Sequence, residues 1–163
     1  MRQIILEAER WLTGIASALA SALLAIICVL GLWQVVARFV FSQPSTWTEE
    51  AMRRMLVWCV MFGIVVAFRR GALVSVDLAL RTSKGAWRSI LRGFIASTAL
   101  AYLAVLVWYG VNLTSRVQFQ SFAALELSMA WAYAALPVGA VLAMVAVIAN
   151  YLDPIYEELD TAQ

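Results

Sequence analysis

Three long stretches without a single charged residue constrain this chain more than any other feature of its sequence. They cover residues 11–37, 93–115 and 127–152, and charged residues bound each of them. A helix needs about 20 consecutive, largely apolar residues to cross a bilayer. The overall composition points the same way, because 64% of the 163 residues are apolar and only 13% are charged. We therefore predict three transmembrane helices from these stretches alone.

A fourth transmembrane helix is predicted from a shorter apolar run. Residues 55–68 are uncharged but too few to span a bilayer by themselves. Thr46 and Glu49 have the spacing of a capping box, and acidic side chains favour the first turn of a helix. The span therefore starts near Thr46 and covers about residues 46–68. Its first two turns carry two acid–arginine pairs with favourable i,i+4 spacing, Glu49 with Arg53 and Glu50 with Arg54.

The predicted fold class is an all-α integral membrane protein with four transmembrane helices in a single membrane domain, residues 1–163. Lys and Arg concentrate on the cytoplasmic side of membrane proteins. The amino end and the loop between the second and third spans hold eight of the 12 Lys and Arg residues. We therefore expect both termini and this loop to be cytoplasmic. The spans are about 11–37, 46–68, 93–115 and 127–152.

The loop between the second and third spans carries a helical charge pattern. Its charged residues recur at steps of three and four, which places them on one face of a helix. We predict an amphipathic cytoplasmic interfacial segment over about residues 73–90, with a basic face that favours anionic lipid headgroups. A solvated loop whose charges only set the topology is the alternative. The patterned charges are Asp77, Arg81, Lys84, Arg88 and Arg92.

Composition excludes several classes of function. The chain has no His, which excludes a histidine-containing catalytic dyad, a histidine-ligated metal or haem, and a histidine proton switch. Cys28 and Cys59 lie in apolar runs without metal-ligand spacing. The net charge of +2 and the lack of a basic stripe exclude a nucleic-acid binder. We expect no enzyme activity, no metal site and no cofactor.

The centres of the four spans hold no ionisable residue, although such residues mark ion and proton pathways in membrane proteins. The one proline within a span is Pro137, which deprives the carbonyl of Tyr133 of its helical donor. We predict a kink there, near Gly139, that shapes packing and does not bind substrate. A stripe of small residues in the first span, Gly14, Ala18 and Ala22, predicts close helix packing. A chain of this kind is expected to be a subunit.

Three motifs resemble a known family. Residues 47–54 carry a tryptophan, an acidic pair and arginines, followed by Trp58 and then by a phenylalanine–glycine pair at 62–63. Residues 70–77 begin with arginine–glycine and end in valine–aspartate, and residues 130–139 combine tyrosine, proline and glycine. In this order the motifs resemble the small membrane subunit of tripartite ATP-independent periplasmic (TRAP) transporters, the DctQ-like proteins. Leu73 stands where many members have His, so any role of that His does not carry over.

The resemblance implies a division of labour among several partners. A large multi-span permease subunit would hold the substrate and ion sites, and a periplasmic substrate-binding protein would deliver an organic acid. The small subunit would act as a scaffold in the bacterial inner membrane, among membrane lipids, and would help to dock the binding protein. Pairing within the helix is the alternative role for the charged pairs of the second span. The candidate partner-interface residues are Arg38, Trp47, Glu49, Glu50, Arg53, Arg54, Asp77 and Arg81.

Three other functions compete with this interpretation. A stand-alone small four-helix exporter would need a membrane-embedded acid, and the acids of this chain lie at the ends of its spans. A haem-free membrane anchor subunit of a respiratory enzyme and a purely structural assembly protein are the other two. Loss of substrate uptake on substitution of Glu49 and Glu50 would separate the transporter subunit from these alternatives.

Overall fold

The computed structural model describes residues 2–43, 45–70, 86–121 and 128–153. Four apolar helical stretches within them are long enough to cross a membrane by length and composition, Glu9–Phe39, Thr46–Arg70, Ser89–Val117 and Met129–Leu152. The predicted all-α architecture with four transmembrane helices is thus confirmed. The helices of the described residues are α1 (Arg2–Phe39), α2 (Thr46–Arg70), α3 (Ala86–Val117), α4 (Met129–Tyr133) and α5 (Ala135–Leu152).

The predicted interfacial segment falls largely outside the described residues. Residues 71–85, which include Asp77 and Arg81, lie outside the described residues. Residues 86–90, the end of the predicted segment, form the start of α3 and continue into the third span. The amphipathic segment therefore stays a prediction.

The four long helices form an open array. α1 packs on α2, α2 packs on α5, and α5 packs on α3, whereas the described residues of α1 and α3 make no contact with each other. α5 therefore lies between α2 and α3. It runs parallel to α2 and antiparallel to α3. We call the side on which α1 begins and α5 ends the terminal side, and the other the opposite side.

α1 attaches to the array along a narrow seam. Its less exposed positions recur at alternating steps of four and three from Glu9 to Ala37, the spacing of a left-handed coiled-coil seam. On α2 this seam meets Cys59, whose Sγ lies 3.4 Å from the carbonyl oxygen of Ala20. The predicted packing stripe of α1 is not part of the seam: a Cβ added at Gly14 would meet nothing within 4 Å. The prediction of close packing there is wrong within the described chain.

Close packing occurs instead around α5, which presents glycine and alanine to its neighbours. A Cβ added at Gly139 would lie 2.6 Å from Cβ of Met61 on α2. On the α3 side, a Cβ added at Gly110 would lie 2.9 Å from Cδ of Pro137. Small residues allow transmembrane helices to approach closely and gain van der Waals contact. The other fully enclosed residues of α5 are mostly alanine, namely Ala135, Ala140, Ala143, Ala146 and Ala149.

The turn between α3 and α4 is held by backbone and serine hydrogen bonds. The hydroxyl of Ser128 donates to the carbonyl of Gln118 (2.9 Å) and accepts from the N–H of Ala130 (3.2 Å). The N–H of Met129 donates to the carbonyl of Gln120 (2.8 Å). These bonds satisfy donors at the start of α4, which would otherwise lack helical partners. They place the start of the last span directly beside the end of α3.

Candidate functional site

Two ion pairs lie in the first turns of α2, on the opposite side of the array. Arg53 Nη2 is 3.0 Å from Glu49 Oε1, and both side chains are mostly exposed (70% and 61%). Arg54 Nη2 is 3.0 Å from Glu50 Oε1, and this second pair is more enclosed. The structure therefore contains both i,i+4 pairs within one helix. The exposed pair remains accessible to a partner protein.

The start of α2 is organised by hydroxyl groups. The hydroxyl of Thr48, which is fully buried, donates to the carbonyl of Ser45 (2.7 Å), and the two hydroxyls lie 2.8 Å apart. These bonds give the buried hydroxyl of Thr48 the partners that a buried polar group requires. They orient the turn that carries Glu49 and Glu50. α2 begins at Thr46, as expected, and Glu49 Oε1 accepts a hydrogen bond from Arg53; the capping box of Thr46 and Glu49 stays a prediction.

The other candidates on the opposite side are exposed. Trp47 stands next to Thr48 and is about half exposed (45%). Arg38 lies in the last turn of α1, with its guanidinium carbon 6.0 Å from the ring centre of Phe39. Trp58 on α2 donates its indole N–H to the carbonyl of Trp131 (3.2 Å), with the two rings 5.6 Å apart. This contact fixes the short helix α4 against α2, close to the charged pairs.

The residues predicted to shape the last span lie where the helical segments α4 and α5 join. α4 ends at Tyr133 and α5 begins at Ala135, so the two helices meet at Ala134. Pro137 follows in the first turn of α5, where it has no N–H to donate. Its ring fills the space beside Gly110, and Gly139 faces Met61. These positions form packing contacts between helices.

A second charged cluster lies on the terminal side, and the sequence analysis did not identify it as a cluster. Arg69, in the last turn of α2, donates from Nε to Glu9 Oε2 (2.5 Å) and from Nη1 to the carbonyl oxygen of Asp153 (2.8 Å). Arg69 and Glu9 are both almost fully buried. The hydroxyl of Thr13 donates to the other oxygen of Glu9. The cluster joins the first, second and last transmembrane helices at one point.

The described residues contain no group of three or more Cys, Asp or Glu side chains placed to hold a metal ion. Their charges lie at helix ends, and the apolar centres of the four spans carry none. Ionisable residues within the membrane mark ion and proton pathways in transporters. The arrangement is that of a multi-pass helical membrane protein whose charged groups serve helix ends and interfaces.

Comparison with known proteins assigns this membrane protein to a family. Residues 27–156 match the DctQ component of tripartite ATP-independent periplasmic transporters. The chain belongs to this family of small TRAP transporter subunits, as its three sequence motifs predicted.

Two curated relatives are similar over most of the chain. It is 26% identical to the sialic acid TRAP transporter small permease protein SiaQ of Vibrio cholerae, over 86% of this chain and 78% of the relative. It is 29% identical to the sialic acid TRAP transporter permease protein SiaT of Haemophilus influenzae, over 83% of this chain. The matched part is only 21% of SiaT. A stretch like this chain therefore forms about a fifth of a much longer permease protein.

Proposed function

We propose that this chain is a scaffold subunit that supports a larger permease subunit and helps to dock a periplasmic substrate-binding protein. The complex would take up an organic acid, driven by an ion gradient. The observation that carries the proposal is the family match over residues 27–156, combined with spans whose centres lack ionisable groups. A subunit of this composition relies on a partner for substrate and ion sites.

The similarity to SiaT supports a larger permease partner. The matched stretch of that relative is joined to a much longer remainder within one protein. The open helix array supports the same proposal, because α1 packs mainly on α2 and α3 packs mainly on α5. Their remaining surfaces are apolar and exposed, and they offer area for a partner or for lipids.

We assign the terminal side of the array to the cytoplasm of a bacterial cell and the opposite side to the periplasm. The distribution of Lys and Arg supports this orientation in the inner membrane. The charged pairs of α2 would then face the periplasm, where a substrate-binding protein arrives. Arg38 and Trp47 lie on the same side and extend this surface.

Affinity purification from the native membrane tests the partner. We expect the tagged chain, extracted in mild detergent, to copurify with a large polytopic membrane protein in roughly stoichiometric amount. Mass spectrometry of the purified material identifies the partner. Recovery of the chain as a homo-oligomer without such a protein would contradict the proposal and favour a stand-alone exporter or an assembly protein.

Substitution of the acidic pair tests the docking surface. We expect Glu49→Gln with Glu50→Gln to reduce uptake driven by the binding protein, while expression and assembly with the large subunit remain unchanged. The exposed Glu49–Arg53 pair contributes only about 0.3–0.5 kcal/mol to stability. The Glu50–Arg54 pair is more enclosed, so the amount of assembled complex is measured beside uptake to separate a docking defect from unfolding. The measurement is uptake of radiolabelled substrate into proteoliposomes at several concentrations of binding protein.

The matched control is Arg116→Gln, which removes an exposed charge at the end of α3 on the same side. We expect this variant to retain wild-type uptake. A docking defect also has a specific signature, because raising the concentration of binding protein should restore part of the lost rate. Unchanged uptake in the acidic double variant would rule out a docking role for Glu49 and Glu50.

A further inference from the structure

Arg69 connects two helices that otherwise touch little. α1 packs mainly on α2 and has only a small contact with α5. Arg69 lies at the end of α2 and bonds Glu9 at the start of the α1 span and the carbonyl of Asp153 at the end of α5. One side chain therefore joins three helix ends on the terminal side.

The burial of this cluster shows that it is part of the packed interior. The exposed fraction is 2% for the Arg69 side chain and 0% for the Glu9 side chain. A buried charge is tolerated where a partner of opposite charge and hydrogen bonds compensate for lost hydration. Arg69 provides this compensation for Glu9, and Thr13 bonds the remaining oxygen. The two charges are thus mutually dependent.

The bond to the last helix is less complete than the bond to the first. Among the described residues the buried Nη2 of Arg69 has no hydrogen-bond partner, and the nearest carboxylate oxygen of Asp153 lies 4.0 Å away. The Asp153 side chain is 40% exposed. Arg69 is therefore bonded closely to the buried carboxylate of Glu9 and only weakly to the partly exposed carboxylate of Asp153.

We propose that Glu9, Arg69 and Asp153 form an ionic latch that holds the edge helix α1 at a fixed angle to α2 and α5. Among the described residues α1 is held along its length by its seam, which includes Leu12 and Ala16, and the latch is the polar contact that closes this seam at its terminal end. Opening of the latch releases that end from α5 while the opposite side stays packed. The latch thus makes α1 a rigid part of the array that a partner subunit meets.

The test measures the distance between the two helix ends that the latch joins. Spin labels are attached at Arg10 and Tyr151, which are exposed, in a full-length chain whose Cys28 and Cys59 are replaced by alanine. Double electron–electron resonance in lipid nanodiscs reports the distribution of distances. We expect a narrow distribution for the otherwise wild-type chain and a broader, longer one for Glu9→Gln, because the Arg69 charge then lacks its partner.

Two further variants make the result specific. Glu49→Gln removes the same charge from the exposed pair and should leave the 10–151 distribution unchanged. The charge-exchanged variant, Glu9→Arg with Arg69→Glu, restores opposite charges and should give a narrower distribution than Glu9→Gln. A second label pair at Arg53 and Trp131, on the opposite side, should be unaffected by Glu9→Gln.

Two results would overturn the latch. The first is a 10–151 distribution in Glu9→Gln identical to that of the parent chain. The second is an equal change in the 53–131 distribution, which would mean that Glu9 supports the whole array and not the terminal end of α1. Neither measurement involves transport, so the result is independent of the proposed function.

Discussion

Replacement of Arg69 by methionine is expected to destabilise the folded chain by about 3–5 kcal/mol, the usual cost of removing one partner from a buried ion pair. Methionine retains much of the apolar length of the arginine side chain, so the loss reflects mainly the uncompensated charge of Glu9. The measurement is the free energy of unfolding in mixed micelles with increasing denaturing detergent. Helical content reports the folded fraction.

The control for this prediction removes the second charge as well. In Glu9→Gln with Arg69→Met no charge is left without a partner, and replacement of a whole buried pair is often close to neutral. We expect the double variant to regain most of the lost stability. A loss below about 1 kcal/mol for Arg69→Met, within the range of exposed pairs, would show that the cluster is hydrated.

Gly139→Ala is expected to cost about 1–3 kcal/mol, as overpacking of a tight interior does. The new methyl group would lie 2.6 Å from Cβ of Met61 and 2.8 Å from its Cε. The flexible end of Met61 can move, but its Cβ is fixed to the backbone of α2. The helices α2 and α5 must therefore separate, and the same unfolding titration measures the loss.

Gly63→Ala is the matched control, because a Cβ added at Gly63 on α2 would meet nothing within 4 Å. We expect this variant to be neutral or slightly stabilising, since alanine favours helix more than glycine does. Met61→Ala removes Cγ and Cε but keeps the Cβ at 2.6 Å, so we expect it to leave most of the loss in Gly139→Ala in place. Equal effects of the two glycine substitutions would contradict the close approach of α2 and α5.

The number and class of the helices could be predicted because the membrane imposes a simple requirement on the sequence. Each span needs enough apolar length, and the uncharged runs supply it directly. The fourth span also required local signals, the hydroxyl and acidic residues near Thr46 that favour a helix start. The family could be identified because its motifs depend on residue order, which the sequence contains in full.

The choice of packing partners could not be predicted in the same way. Apolar composition separates membrane from water but does not distinguish a lipid-facing position from a helix contact. Small residues occur on α1 and on α5, and the stripe at Gly14, Ala18 and Ala22 is the one that stays exposed in the described chain. The close contacts at Gly110 and Gly139 depend on which helices are neighbours, a property of the whole array.

The buried cluster could not be predicted without the register of α1 against α2. α1 and α2 are joined by a short turn and therefore run antiparallel, so residues at similar distances from the turn face each other. The approach of Ala20 to Cys59 sets this register, and its extension brings Glu9 opposite Arg69. The charge pattern of the sequence places Arg69 at the end of a span but does not contain this register.

The latch also brings residue 9 and residue 153 together, although 144 positions of sequence separate them. A polypeptide joined before α1 or after α5 would therefore leave the membrane body at the same corner. Domains whose ends lie close together accept covalent connection to other domains with little rearrangement. A connection at that corner would leave all four helices in place.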